Sequence, residues 1–392
     1  MLPDKMLLII QRAPSLSGLS ARDVSKRRSA LYRNKCTENN IRLMEPENLY
    51  LDYAATTPPL PAARDAMAQG FSAWANPSSP HKAGRAARSA LEIARKRIMA
   101  VLGWEGEIIF TSGASESIQI AITQGSQGLG ATSPVEHDSV LRCAAGAARL
   151  RVDGQGQVDP DSIGAPGLIA IQHVNSETGV IQPLDTIAKR IHASGGLLLA
   201  DCAQSAGKLD LPDADLIAIA AHKFGGPVGV GALLVRDWKM LHPSGGQERG
   251  YRGGTENLPG VLAMAAALEE GNGWLGRAAS LRQTLDEAIV EAGGGIIAAD
   301  ARRIASIASY RMPGVESAVQ LIRFDAMGIA VSAGSACSSG SLKSSHVLMA
   351  MGLDQKIASE VIRVSIGRET TADDIQRFLT GWQDIAQICG AA

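Results

Sequence analysis

One cysteine, Cys337, stands in the stretch SAGSACSSGS (332–341), surrounded by serine, glycine and alanine. A core cysteine behaves as a small hydrophobe with apolar neighbours at strand or helix spacing, whereas Ala336, Ser338, Ser339 and Gly340 flank this one, so the stretch reads as a loop. Cys36, Cys143, Cys202, Cys337 and Cys389 are odd in number and scattered, with no CxxC pair and no signal peptide. That pattern argues for a reducing compartment and against disulfides or a zinc site. A buried structural cysteine and a reactive thiol both stay open from this stretch alone.

Two further places carry chemistry. Asp201 follows the apolar run GGLLLA, with Gln204 just behind it, and His222 and Lys223 follow DLIAIAA ahead of the glycine-rich GGPVGVG. A lone aspartate after a strand is usually a cap and a lone lysine a solvated end. Together they match one chemistry: a lysine that forms a Schiff base with pyridoxal phosphate, and an upstream aspartate that pairs with the protonated ring nitrogen. TSGASES (111–117) leads from an apolar run straight into a helix. Its free N–H groups and helix dipole suit a phosphate, while Ser112 or Ser115 acting only as a cap is the alternative. His137, in VEHDSV, follows that helix and could stack on a cofactor ring or move protons.

These residues need a scaffold that ends several strands at one edge. The runs EIIF, GLIAIQHV, GGLLLAD, DLIAIAAH and GALLVR read as buried strands alternating with amphipathic stretches. In LDTIAKRIHASGG, Leu184, Ile187, Ala188 and Ile191 fall on one helical face and Gly195 and Gly196 stop the helix. The class is therefore α/β with a mainly parallel wound sheet, in which ligands sit beyond the carboxyl ends of the strands. The texture changes after about residue 275, giving a large domain over 60–275 and a smaller α+β domain from 48–59 and 276–392 that carries the cysteine loop. Residues 1–47 are basic, serine-bearing and weakly periodic, and are expected to be a poorly ordered extension. A cytoplasmic location is expected, or an organelle matrix if that extension is a transit peptide. The net charge of -1 offers no basic face for nucleic acid, and no apolar run approaches the ~18 residues of a membrane span.

From YLDYAATTP to IRVSIGRETT the chain resembles the cysteine desulfurases of the NifS and IscS type, in the class V aminotransferase group of pyridoxal-phosphate fold type I. The motifs that carry the likeness are TSGASES, EHDSV, HVNSETGVIQP, ADCAQSAGK, AHKFGGPVGVGAL, GGQERGYRGGTEN, SAGSACSSGSL and IRVSIGR. The resemblance implies that Lys223 holds pyridoxal 5'-phosphate. It implies that Cys337 takes the sulfur of L-cysteine as a persulfide, releases L-alanine, and passes the sulfur to an acceptor or iron–sulfur scaffold protein. It further implies that Asp201 meets the ring nitrogen, Gln204 the ring hydroxyl and His137 the ring face. Ala114, Ser115 and His222 would bind the phosphate together with Thr255 of a partner subunit, hence a homodimer. Arg363 would clamp the substrate carboxylate, beside Asn175.

The chain departs from the family pattern where Ser176 replaces an asparagine that contacts the cofactor, and where Ala220 replaces a phosphate-binding serine. Slower or weaker cofactor loading is the expectation. The sequence ends with LTGWQDIAQICGAA, and the resemblance implies that it lacks much of the tail with which family members dock scaffolds. A lyase acting on selenocysteine or cysteine sulfinate, and a non-catalytic scaffold that keeps the fold, are the competing readings.

Overall fold

The computed structural model describes residues 48–164, 166–334 and 345–390. The extension 1–47 and Cys337 lie outside the described residues. The strands in chain order are β1 (Leu49–Tyr50), β2 (Glu107–Thr111), β3 (Leu129–Thr132), β4 (Ala148–Arg149), β5 (Leu168–Gln172), β6 (Leu197–Asp201), β7 (Leu216–Ala220), β8 (Gly231–Val235), β9 (Gly295–Ile296), β10 (Ile307–Arg311), β11 (Ile329–Ala330) and β12 (Val361–Ser365). The longer helices are α1 (Pro61–Ser72), α2 (Lys82–Leu102), α3 (Ala114–Thr123), α4 (Leu184–Ala193), α5 (Leu258–Glu269), α6 (Leu275–Glu291), α7 (Ser317–Ala326) and α8 (Ala372–Ile388).

The main sheet runs β2-β8-β7-β6-β5-β3-β4. Pairings from β7 to β4 are parallel, while β8 is antiparallel to both of its neighbours. The expectation of parallel strands therefore needs correcting at GALLVR. The segment 221–230 that joins β7 to β8 is shorter than the dozen or so residues that a parallel crossover needs, so the chain turns back beside the strand it has just left. β5, β7 and β8 are buried at every position, which is why they read as unbroken apolar runs rather than alternating ones. One face is covered by α2, α4 and α5 through Leu91, Ile98, Ile187, Ile191, Val261 and Met264. In α4 the buried residues are Leu184, Ile187, Ala188 and Ile191, the face expected from spacing, and Gly195 takes φ +76° just past its end.

A second, antiparallel sheet, β12-β10-β9, packs on α6 and α8 around Tyr310, Phe324, Phe378 and Trp382. Phe324 and Phe378 stack at 4.9 Å. α8 opens with a reciprocal cap in which the Thr371 side chain accepts the Asp374 N–H and the Asp374 side chain accepts the Thr371 N–H. Leu49 and Leu51, at the start of the described chain, belong to this same core, and β1 pairs in parallel with β11.

Candidate active site

A cleft of about 840 Å³ opens where β6 and β7 end and α3 begins. Asp201, Lys223, His137, Gln204, Arg363 and the 112–116 turn all line it, although they come from widely separated parts of the sequence. The elements explain this convergence, because parallel strands deliver their C-terminal residues to one edge.

Lys223 sits in the tight turn after β7. Its Nζ donates to the carbonyls of Ala54 (2.8 Å) and Ala55 (2.9 Å), and Thr57 Oγ1 donates to the Lys223 carbonyl at 3.1 Å. The Thr57 N–H donates to the His222 carbonyl at 2.8 Å. YLDYAATTP and AHKFGG are thus latched together, and two backbone carbonyls help to aim the lysine amine. His222 Nδ1 lies 3.2 Å from Thr56 Oγ1, and burial, with Lys223 and Lys208 nearby, pushes its pKa down to about 4. The ring is neutral at physiological pH.

Asp201 ends β6, is 7 % exposed, and its Oδ1 accepts the Ala203 N–H at 2.9 Å. Burial raises its pKa, and the Ala203 N–H, His137 and Lys223 pull it back down. Gln204 donates from Nε2 to the Ala54 carbonyl at 2.8 Å, leaving its buried Oε1 without a partner among the described residues. His137 caps the short helix 138–141, its Nδ1 accepting the Ser139 N–H at 3.1 Å with Ser139 Oγ at 2.8 Å. The neutral imidazole therefore carries its proton on Nε2. Burial lowers its pKa, opposed by Asp201.

α3 is preceded by Gly113, whose φ of +155° is open to glycine, and among the described residues no side-chain hydrogen bond caps it. Neither Ser112 nor Ser115 performs the capping role that sequence left open. Ala114 and Ser115 begin the helix and line the cleft. A Cβ on Gly231 would lie 2.6 Å from Gly113 Cα, so the first residue of β8 must be glycine for the strand to press against this turn. Ala220 ends β7 in the lining, without the hydroxyl of the family pattern.

Arg363, on β12, is held by Asp52 (Nη2 to Oδ1, 2.7 Å) and by the Ser176 carbonyl (Nη1, 3.0 Å), and its buried Nε has no partner among the described residues. Ser176 itself lines the cleft. Asn175 was expected beside the substrate, but its amide is used inside the turn. Oδ1 accepts the N–H groups of Glu177 and Thr178, both at 2.9 Å, and Nδ2 donates to the Val135 carbonyl at 3.0 Å. An asparagine that follows a strand and opens a turn commonly closes an Asx-type turn in this way. Thr255 is exposed and does not line the cleft.

Sequence reasoning missed four charged groups. Asp52 pairs with Arg363, and Glu136 and Glu177 are buried in the lining, where burial raises both pKa values. All three lie in quoted motifs, so composition signalled them, but nothing local signalled burial. The fourth is Lys208, 6 % exposed, in a small cavity behind Lys223 that Ser306 and Arg368 also line. Burial pushes its pKa down to about 7, with Lys223 adding like charge. The folded state then binds fewer protons than the unfolded chain between pH 7 and the ordinary lysine value, so this lysine costs stability most below pH 7 and the cost fades as pH rises. Lys208→Met is expected to stabilise the protein by about 2 to 4 kcal/mol at pH 6, with the gap closing toward pH 10. Urea unfolding at three pH values measures this, and a gap independent of pH would contradict it.

The lining fits pyridoxal phosphate: a buried acid for the ring nitrogen, an amine for the aldehyde, an orphaned amide oxygen, and an uncapped helix start with glycine on both sides of it for the phosphate. With the wound sheet, that combination defines a pyridoxal-phosphate enzyme of fold type I. The chain belongs to the class-V aminotransferase family, whose sequence profile covers residues 49–378. It is 35% identical to a cysteine desulfurase of Gluconacetobacter diazotrophicus over 84% of this chain and 91% of that one. Among solved structures it superposes on a NifS-like protein with TM-score 0.78 and 30% identity, covering 87% of this chain and 100% of the other. It also superposes on SspA in complex with cysteine with TM-score 0.72 and 30% identity, covering 82% of this chain and 100% of the other.

Proposed function

We infer that the protein is a pyridoxal-phosphate-dependent cysteine desulfurase that converts L-cysteine to L-alanine and holds the sulfur as a persulfide on Cys337 for an acceptor. The observation that carries this reading is the convergence of Lys223, Asp201, His137 and Arg363 on one cleft whose lining also includes Ser332 and Gly334, the residues that lead to Cys337.

When bound, the cofactor supplies an electron sink for the bonds around the substrate α-carbon. Lys223 would anchor it, and its amine lies in the cleft where it could move protons. Asp201 would face the ring nitrogen and keep a proton there as its counter-ion. His137, protonated on Nε2, is the proton donor on the ring face. Arg363 binds the substrate carboxylate through Nε and its remaining Nη hydrogens, with Asp52 keeping the guanidinium in plane. The Cys337 thiolate attacks the substrate sulfur. One S–S bond forms, the Cβ–S bond breaks, and its electron pair stays with the carbon fragment, which takes up protons to become alanine.

The enzyme works as a homodimer in this reading, with Thr255 reaching the partner's phosphate site; its exposure outside its own cleft supports that, as do the exposed Phe71, Trp74 and Val228. The sulfur passes to an acceptor or iron–sulfur scaffold protein. The scattered cysteines favour a reducing compartment, the cytoplasm.

Visible absorbance of the holoenzyme before and after L-cysteine, with alanine assayed in parallel, tests the reading. Wild type is expected to show a band that cysteine shifts, with alanine and protein-bound persulfide formed. Cys337→Ala keeps the shift and loses both products. Equal alanine from Cys337→Ala would instead favour a lyase, and a protein that takes up no cofactor would favour a scaffold.

A further inference from the structure

We propose that the small cavity behind Lys223 is a binding site for an inorganic monoanion of about chloride size, held by the Lys208 ammonium and the Ser306 hydroxyl with Arg368 beside them. The cavity measures about 20 Å³, and Lys208, Lys223, Arg368, Ser306, Tyr53 and Trp274 are among the residues that line it. Among the described residues of that lining there is no aspartate or glutamate. The charge balance selects an anion and rejects a metal cation. The volume holds little more than one water-sized species, which favours a monatomic ion over a phosphate or an organic acid.

Two buried polar groups of the lining lack partners. Lys208 is 6 % exposed, and its hydrogen bonds are made by its backbone: the N–H donates to the Ser205 carbonyl at 2.9 Å, and the carbonyl accepts from Asn272 Nδ2 at 3.1 Å. Its ammonium has no hydrogen bond or ion pair to a described residue. Ser306 is 2 % exposed, and its Oγ has no partner among the described residues either. A buried ammonium is costly unless a counter-charge and hydrogen bonds satisfy it. The neighbouring cations do not relieve it. Lys223 adds like charge, and its Nζ donates to the Ala54 and Ala55 carbonyls. Arg368 donates from Nη2 to the Gly271 carbonyl, and its guanidinium lies 5.9 Å over the Trp274 ring. Glu270 offsets the charge of Arg368, and burial still pulls the arginine pKa down. An anion between Lys208 Nζ and Ser306 Oγ accepts from both orphaned donors at once, through hydrogen bonds strengthened by its charge.

Holoenzyme is the sample, because bound cofactor fills the other anion-attracting place, the start of α3. In urea unfolding at pH 6 and constant ionic strength, replacing gluconate by chloride is expected to raise the folded-to-unfolded ratio of wild type about tenfold, the linkage that follows at chloride about ten times its dissociation constant. Lys208→Met is expected to change by less than about twofold. Ser306→Ala keeps the ammonium and is expected to bind chloride about tenfold more weakly, the loss of one hydrogen bond to a charged group. Anomalous scattering from crystals soaked in bromide locates the ion, with a peak expected between Lys208 Nζ and Ser306 Oγ. Equal chloride responses in wild type and Lys208→Met, no response in wild type, or bromide at surface positions only each overturn the proposal. None of these readouts depends on the desulfurase reading.

Discussion

Alanine at position 223 will leave a folded protein that no longer attaches its cofactor covalently and turns over cysteine at least about 10³-fold more slowly. Lys223 Nζ is the amine that the turn after β7 delivers into the cleft, held by two carbonyls that keep it oriented. Its removal deprives Ala54 and Ala55 of two hydrogen bonds, a loss of roughly 1 kcal/mol each, too small to unfold a protein of this size. The effect is therefore chemical. Borohydride reduction followed by peptide mass analysis checks the assignment, with an adduct on Lys223 expected in wild type and none in the variant. The informative contrary result would be an adduct on Lys208, the buried lysine lining the cavity behind it. That outcome would move the anchor by one turn of the fold and discard the role given to Lys223.

Glu248→Ala is expected to cost about 3 to 5 kcal/mol, the largest stability effect predicted for a single side chain here. Arg95 and Glu248 form a two-pronged buried pair at 2.9 and 3.0 Å. The same carboxylate accepts the Phe110 N–H at 2.8 Å, and the guanidinium donates to the Ile108 carbonyl at 2.5 Å and lies 4.4 Å over the Phe110 ring. Removing Glu248 leaves the buried guanidinium with the more exposed Glu92 carboxylate at 3.3 Å in place of a two-pronged buried partner. Glu248 also takes φ +44° and Arg249 φ +59°, conformations that non-glycine residues adopt only when their surroundings hold them there. The network ties β2, which runs directly into the Gly113 turn, to the QERG turn that precedes Thr255. A loosened pair should therefore weaken cofactor retention as well as stability. Urea unfolding of Glu248→Ala and of Arg95→Met/Glu248→Leu measures this. The double variant should recover part of the loss, because an apolar pair carries no desolvation penalty. A cost below about 1 kcal/mol for the single variant would mean that the pair does not hold the turn.

Much of the site was legible in the chain because its chemistry is written at strand ends. Asp201 and Lys223 follow apolar runs that become β6 and β7, and a parallel sheet must bring such ends together. The helix face of α4 followed from spacing alone. Other features had no local signal. Asn175 looked like a binding group and proved to be a turn former, since its partners, Glu177, Thr178 and Val135, are chosen by how the chain folds back.

By itself, then, the sequence determined the α/β class, the strand ends that carry the reactive groups, and the family to which they belong. The tertiary structure alone decided that β8 runs antiparallel, that Asp52 pairs with an arginine 311 positions away, and that Glu136, Glu177, Lys208 and Glu248 are buried. The physical reason is that periodicity and residue type report on neighbours within a few positions. Burial, which raises the pKa of Glu177 and lowers that of Lys208, depends on which distant segments close over a side chain.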